Sequence, residues 1–188
     1  MPMIRETIVT TRSTTGRVHI APLGVIADGV GWVIAPFHPS TTLDNLRATP
    51  RAVLNHVDDV RIFAGCLTGR RDWPLVADCG EVPRLAACVA HEELLVERVS
   101  EDAQRPRFHC RVVRRVTHGA FAGHNRAAAA VIEACILASR LGMLPREKID
   151  SEMAYLQIAI SKTAGPQETE AWDWLKARIA AHYAALPL

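Results

Sequence analysis

Apolar and polar residues alternate with a period of two through the first half of the chain, and with a helical period through the last third. Ile4, Glu6, Ile8 and Thr10 share one face of a segment running from Ile4 to Thr11. The Ser13-Thr14-Thr15-Gly16 turn follows, its glycine suited to positive φ. Val18–Ala27 reads as a second strand containing Pro22, which cannot donate to a ladder, so that strand is expected at an edge or bulged there. Asp28-Gly29 predicts another hairpin turn, Trp32–Ala35 a third strand, and Arg51–His56 a fourth. Between the last two, Ser40 or Thr41 is placed to cap a short helix over Leu43–Ala48.

Asp58–Leu67 is expected as a short helix and Thr68–Pro83 as a loop. Leu85–Val99 and Phe108–Thr117 are expected as two longer strands, the second with β-branched Val112, Val113 and Val116 flanked by Arg111, Arg114 and Arg115, which suggests one wet face and one dry. From Asn125 the period changes. Val131, Ile132, Cys135, Ile136 and Leu141 line one side of a helix ending near Gly142. Pro145 opens a second, with Ile149, Met153, Leu156 and Ile160 on one stripe, and Gly165-Pro166 ends it. Trp172, Leu175, Ile179 and Leu186 mark a third. Antiparallel strands followed by helices argue an α+β fold with a small barrel over residues 1–120. Residues 121–188 form a helical extension, packed on the barrel or on a partner subunit.

The composition, 49% hydrophobic and 22% charged, is that of a globular chain. Its net charge of +2 gives no electrostatic reason for a nucleic-acid or membrane partner. Arg5 and Glu6 occupy the place of a signal peptide's apolar core, and a cytoplasmic location is expected. The five cysteines, Cys66, Cys79, Cys88, Cys110 and Cys135, contain no C-x-x-C pair, which predicts buried free thiols and no structural zinc.

Chemistry concentrates in residues 17–56. Ser40, Thr41 and Thr42 put three hydroxyls at the start of a helix, where free N–H groups and the dipole favour a phosphate. The same residues also suit plain helix capping, and Asn45 suits either ligand binding or the capping network. His19, His38 and His56 fall near this region without metal-ligand spacing, so a proton-donor role is favoured over a metal. His109, His118 and His124 show no spacing that suggests a site, and nothing orients Cys66 against His56 as a nucleophile pair.

The stretch T-T-R-S-T-T-G-R-V-H-I-A-P-L-G-V, followed one strand later by H-P-S-T-T-L-D-N-L, resembles the FMN-binding split barrel of flavin reductases and pyridoxamine-phosphate-oxidase-like proteins. L-N-H-V-D-D-V-R-I-F-A, which contains Asn55, and H-N-R-A-A-A-A-V-I-E-A resemble a narrower group. That group is the domain of unknown function 447 of methanogenic archaea and of bacteria that oxidise one-carbon compounds. The resemblance implies a homodimer with FMN at its interface. Ser40 and Thr42 would bind the phosphate, with Thr41 contributing its N–H, and the backbone of Ile20, Ala21, Pro22 and Leu23 would follow the ring edge. No Lys or Arg neighbours the hydroxyl loop, so the balancing charge must come from elsewhere. Arg126, next to Asn125 at a helix start, is the candidate, the alternative being an ion pair with Glu133 or another subunit. The expected function is a flavin-dependent oxidoreductase linked to one-carbon or pterin metabolism, or else a non-catalytic flavin or pterin carrier or sensor.

Overall fold

A computed structural model describes residues 2–185, so Leu186 lies outside the described residues. Two compact units divide the chain, one of Met1–Val57 with Trp73–Phe121 and the other of Asp58–Asp72 with Ala122–Leu188. The first is a closed antiparallel barrel of six strands: β1 (Ile4–Arg12), β2 (Val18–Asp28), β3 (Gly31–Ile34), β4 (Arg51–His56), β7 (Ala90–Ser100) and β8 (Arg107–Thr117). Their order around the barrel is β1-β2-β3-β8-β7-β4, and two two-residue strands, β5 (Leu75–Val76) and β6 (Arg84–Leu85), form a separate ribbon. Val9, Val25, Ile34, Leu54, Leu94 and Phe108 fill the interior, joined by Leu43 and Leu46 from helix α1 (Thr41–Ala48). Each such side chain removed from water contributes roughly 1.5–3 kcal/mol.

The two hairpin turns form as the sequence predicts, with Gly16 at φ 86° and Gly29 at φ 59°. Pro22 stands opposite Ile8 in an unbroken register with β1. On its other side β2 pairs with β3 over Ile26–Asp28, and Pro22 lies outside that register. Pro22 is therefore at an edge, not a bulge.

Three elements depart from expectation. β1 does not alternate in burial: Ile4–Glu6 are all exposed and Thr7–Thr11 are all buried. The cause is the excursion 73–89, which covers the outer face: Thr10 Oγ1 donates to Pro83 O at 2.8 Å, and Leu85 N donates to Asn55 Oδ1 at 2.7 Å. The strand expected over Leu85–Val99 is interrupted, with β7 starting only at Ala90. In β8, Val113 is an extra residue between the pairs Glu93↔Arg114 and Leu94↔Val112, and it is exposed rather than on a dry face. Glu97 is the matching extra residue on β7, between Val96↔Cys110 and Arg98↔His109.

The second unit is a bundle of α2 (Arg61–Leu67), α3 (Arg126–Ser139), α4 (Arg146–Thr163) and α5 (Pro166–Ala184). α2 begins later than expected, because Asp59 Oδ1 accepts the Arg61 N–H at 3.0 Å and holds the preceding residues in a turn. Val131, Cys135, Ile149, Ile160, Trp172, Leu175 and Ile179 supply its core, largely the stripes read from the sequence. Among the described residues, no helix is long and apolar enough to cross a membrane.

Candidate functional site

α1 packs against β1 and β2. Its N-cap is Ser40, whose Oγ accepts the Leu43 N–H at 3.3 Å, while Asp44 N donates to Ser40 O at 3.2 Å. The N–H groups of Thr41 and Thr42 come before the first intrahelical bond and point out of the helix end. Thr42 is buried, and its hydroxyl has no hydrogen-bond partner among the described residues. Thr41 is exposed. The arrangement offers two backbone donors, a hydroxyl and a positive dipole end, the chemistry of a neutral anion cradle.

Asn45 is buried beneath this end, and its Nδ2 donates to Thr11 Oγ1 at 3.0 Å, which ties α1 to β1. Asn55 is also buried and wholly engaged. Its amide donates to Ile8 O at 3.0 Å, Val53 O at 3.2 Å and Thr10 Oγ1 at 3.4 Å, while its carbonyl accepts from Leu85. Ile20–Leu23 lie on β2 opposite Thr10, Val9, Ile8 and Thr7. Asn125 and Arg126 belong to the second unit. Asn125 caps α3, its Oδ1 accepting from Ala127 N at 2.7 Å and Ala128 N at 3.3 Å. Arg126 is exposed and has no ion pair, with Glu133 or otherwise, among the described residues. Arg105 was not singled out by the sequence. Its guanidinium donates to Ala35 O at 2.9 Å and stacks on the exposed Phe37 ring at 4.2 Å, which puts a cation beside the loop leading into Ser40.

A second polar group sits at one mouth of the barrel. Glu92 occupies an interior register of β7 and is 5% exposed. It accepts from Trp32 Nε1 at 2.8 Å and Arg115 Nη2 at 3.1 Å, and it faces His56 Nε2 at 3.3 Å. Burial pushes its carboxyl up, but the hydrogen bonds from His56, Arg115 and Trp32 outweigh that and hold it at about 2. With Arg5 and Gly31 these side chains line a cavity of about 500 Å³. Of the three histidines read as near the flavin loop, His56 is here, His19 is on β2 and His38 is in the loop before α1.

All five cysteines are free and buried. Burial pushes the Cys66 thiol up to about 11 and Cys79, Cys110 and Cys135 up to about 12, so none of these four is an activated nucleophile. Cys66 and His56 fall in different units. His118, which sequence spacing leaves unassigned, meets His91 on the outer face of the barrel. The signal that could have found this pair's neighbourhood is the C-x-x-H step from Cys88 to His91.

Family models described as "Protein of unknown function (DUF447) N-terminal domain" and "Protein of unknown function (DUF447)" match residues 5–119 and 125–177. Among curated proteins, none matches the chain. Among solved structures, the chain is similar to an FMN-bound DUF447 protein from Methanosarcina mazei, at 19% identity and a TM-score of 0.81, covering 95% of this chain and 96% of that one. It is also similar to the 2-nitrobenzoate 2-nitroreductase of Pseudomonas fluorescens, at 20% identity and a TM-score of 0.53, over 63% of this chain and 66% of that one. The flavin reductase of the Pseudomonas putida styrene monooxygenase matches at 14% identity and a TM-score of 0.51, over 60% and 77%. These likenesses establish the split-barrel fold.

Proposed function

The chain belongs to the DUF447 family, and on that premise we propose that it binds FMN and acts as a flavin-dependent oxidoreductase in one-carbon or pterin metabolism. The observation that carries this reading is the hydroxyl-lined start of α1, a helix packed against β1 and β2. The residues present fit the cofactor: Thr41 N–H, Thr42 N–H, the Thr42 hydroxyl and the Ser40 side chain suit a phosphate, and the backbone of Ile20–Leu23 suits a flat ring edge. Asn45 and Asn55 act behind the site through their bonds to β1. When bound, FMN supplies the redox chemistry, while the protein fixes its orientation. Within the barrel unit, Arg105 is the candidate for charge balance. The methanogen relative, an FMN-bound member of the same family, supports the choice of cofactor.

The open β2 edge also supports a homodimer, in which a second copy covers it and completes the flavin site. Such a dimer should bury more than ~2,000 Å² in total. Purified protein is expected to be yellow, to carry FMN and to scatter light as a dimer. Bleaching on addition of NADH or NADPH marks the oxidoreductase, whereas persistent colour with both donors leaves a flavin carrier. Colourless protein that takes up no added FMN would overturn the cofactor reading, and a monomeric mass at micromolar concentration would overturn the interface.

A further inference from the structure

We propose that Cys88, His91 and His118 form a zinc-binding site on the outer face of the barrel, independent of flavin binding and sharing no residue with the flavin site. One ligand atom from each of the three lies within 4.8 Å of the others. His91 Nδ1 and His118 Nε2 face each other at 2.7 Å. Cys88 and His91 are buried, and His118 is exposed. Main-chain bonds hold this placement and owe nothing to the three side chains. Val89 O accepts both His118 N at 2.8 Å and Gly119 N at 3.0 Å, Val89 N donates to His56 O at 2.9 Å, and His91 pairs with Val116. The ladder thus sets Cys88 and His118 on either side of Val89, with His91 two residues further on.

One thiolate and two imidazoles are zinc's preferred donors, and three protein ligands leave a fourth tetrahedral position for water beside exposed His118. Binding displaces the Cys88 thiol proton, which goes to solvent, and moves the His91 ring proton to Nε2. That nitrogen faces Cys79 Sγ at 3.4 Å and Glu93 Oε1 at 3.7 Å, the outer-shell acceptors a metal-bound imidazole needs. Arg84 Nη1 stands 3.7 Å from Cys88 Sγ and favours the thiolate, and Arg84 is itself fixed by Asp78 at 2.9 Å. Cys79, His91 and Glu93 form a rival set on the other side of the His91 ring, which the Cys79 variant below tells apart.

The test is elemental analysis of protein purified without chelator, then cobalt(II) reconstitution of the metal-stripped full chain. One zinc per chain and a thiolate-to-cobalt charge-transfer band are expected. His118→Ala and Cys88→Ser should each weaken zinc binding about a hundredfold or more, and Cys88→Ser should also lose the band. Cys79→Ser should keep both the stoichiometry and the band. Wild-type protein that takes up no zinc and shows no band would overturn the site. So would a set in which Cys79→Ser abolishes binding while His118→Ala, natively folded by circular dichroism, retains it.

Discussion

The start of α1 and the outer face of β1 and β4 both present neutral polar side chains, yet they end in opposite states. On β4, Asn55 makes four hydrogen bonds and has no exposed surface. Its partners are strands β1 and β4 and the excursion that covers them. At α1, Ser40 spends its hydroxyl on one long capping bond, and the Thr42 hydroxyl has no partner among the described residues. Residue type does not separate the two regions, since Asn and Thr serve in both, Asn55 with Thr10 in one and Asn45 with Thr42 in the other. What separates them is whether the backbone of another segment consumes the polar atoms. Committed groups hold the fold, and uncommitted ones at a helix end are available to a ligand.

The sharpest break of this contrast is Asn55→Ala, which strands the Leu85 N–H in the interior and removes the amide shared by β1 and β4. A loss of about 3 kcal/mol or more is expected in urea unfolding. A loss below about 1 kcal/mol would mean Asn55 is not committed as its bonds suggest. Glu92 tests a charged, committed group. Its carboxyl sits at about 2 against an ordinary 4.5, so the native state holds the proton less tightly than the unfolded chain. The resulting stabilisation, about 3 kcal/mol, is complete above pH 4.5 and lost as pH falls toward 2. Glu92→Gln should flatten the stability profile in that window, and an unchanged profile would place the acid sensitivity elsewhere.

For the uncommitted side, Ser40→Ala with Thr42→Ala should weaken FMN binding by about 2–3 kcal/mol, counting ~1–1.5 for each bond to a charged group. Riboflavin titrations should barely change, because that ligand lacks the phosphate. Equal weakening of both would reduce the loop to a helix cap. The smallest effect is expected at Arg105. Arg105→Lys keeps the charge but loses the planar fork, and FMN affinity should fall by about 1 kcal/mol. Unchanged titrations with Arg105→Ala would exclude it from charge balance.

Much of the barrel was legible because its signals are local. Pro50 and Val57-Asp58 bracket the run Arg51–His56, and β4 has those bounds. Ser40 announced its cap, and Pro22 announced an edge. The excursion 73–89 was illegible because its only strands are two residues long and its anchors join residues far apart in sequence, Thr10 to Pro83 and Asn55 to Leu85. The Glu92 mouth was hidden for the same reason, its partners Trp32, His56 and Arg115 coming from three other strands. Flavin-loop residues Ser40–Thr42 could be named from capping chemistry, whereas His118 could be related to His91 only through the β7–β8 register.

The extra residues on β7 and β8 behave like a pair of opposite dislocations. Glu97 advances one strand by a residue and Val113 advances the other, so the pairings Leu94–Val96 with Cys110–Val112 run one step out of phase, and the phase returns beyond them. Both strands are consequently eleven residues long, and both ends of the hairpin meet as if neither slip existed. Chain length here is decoupled from alignment only while the two slips coexist. Deleting Val113 alone would strand the other slip and force it to one end of the hairpin, misplacing either the Glu92–Arg115 contact or the Ser100–Arg107 pairing. Deleting Val113 together with Glu97 would anneal the ladder, trading away the extra twist that bulges give a closing barrel.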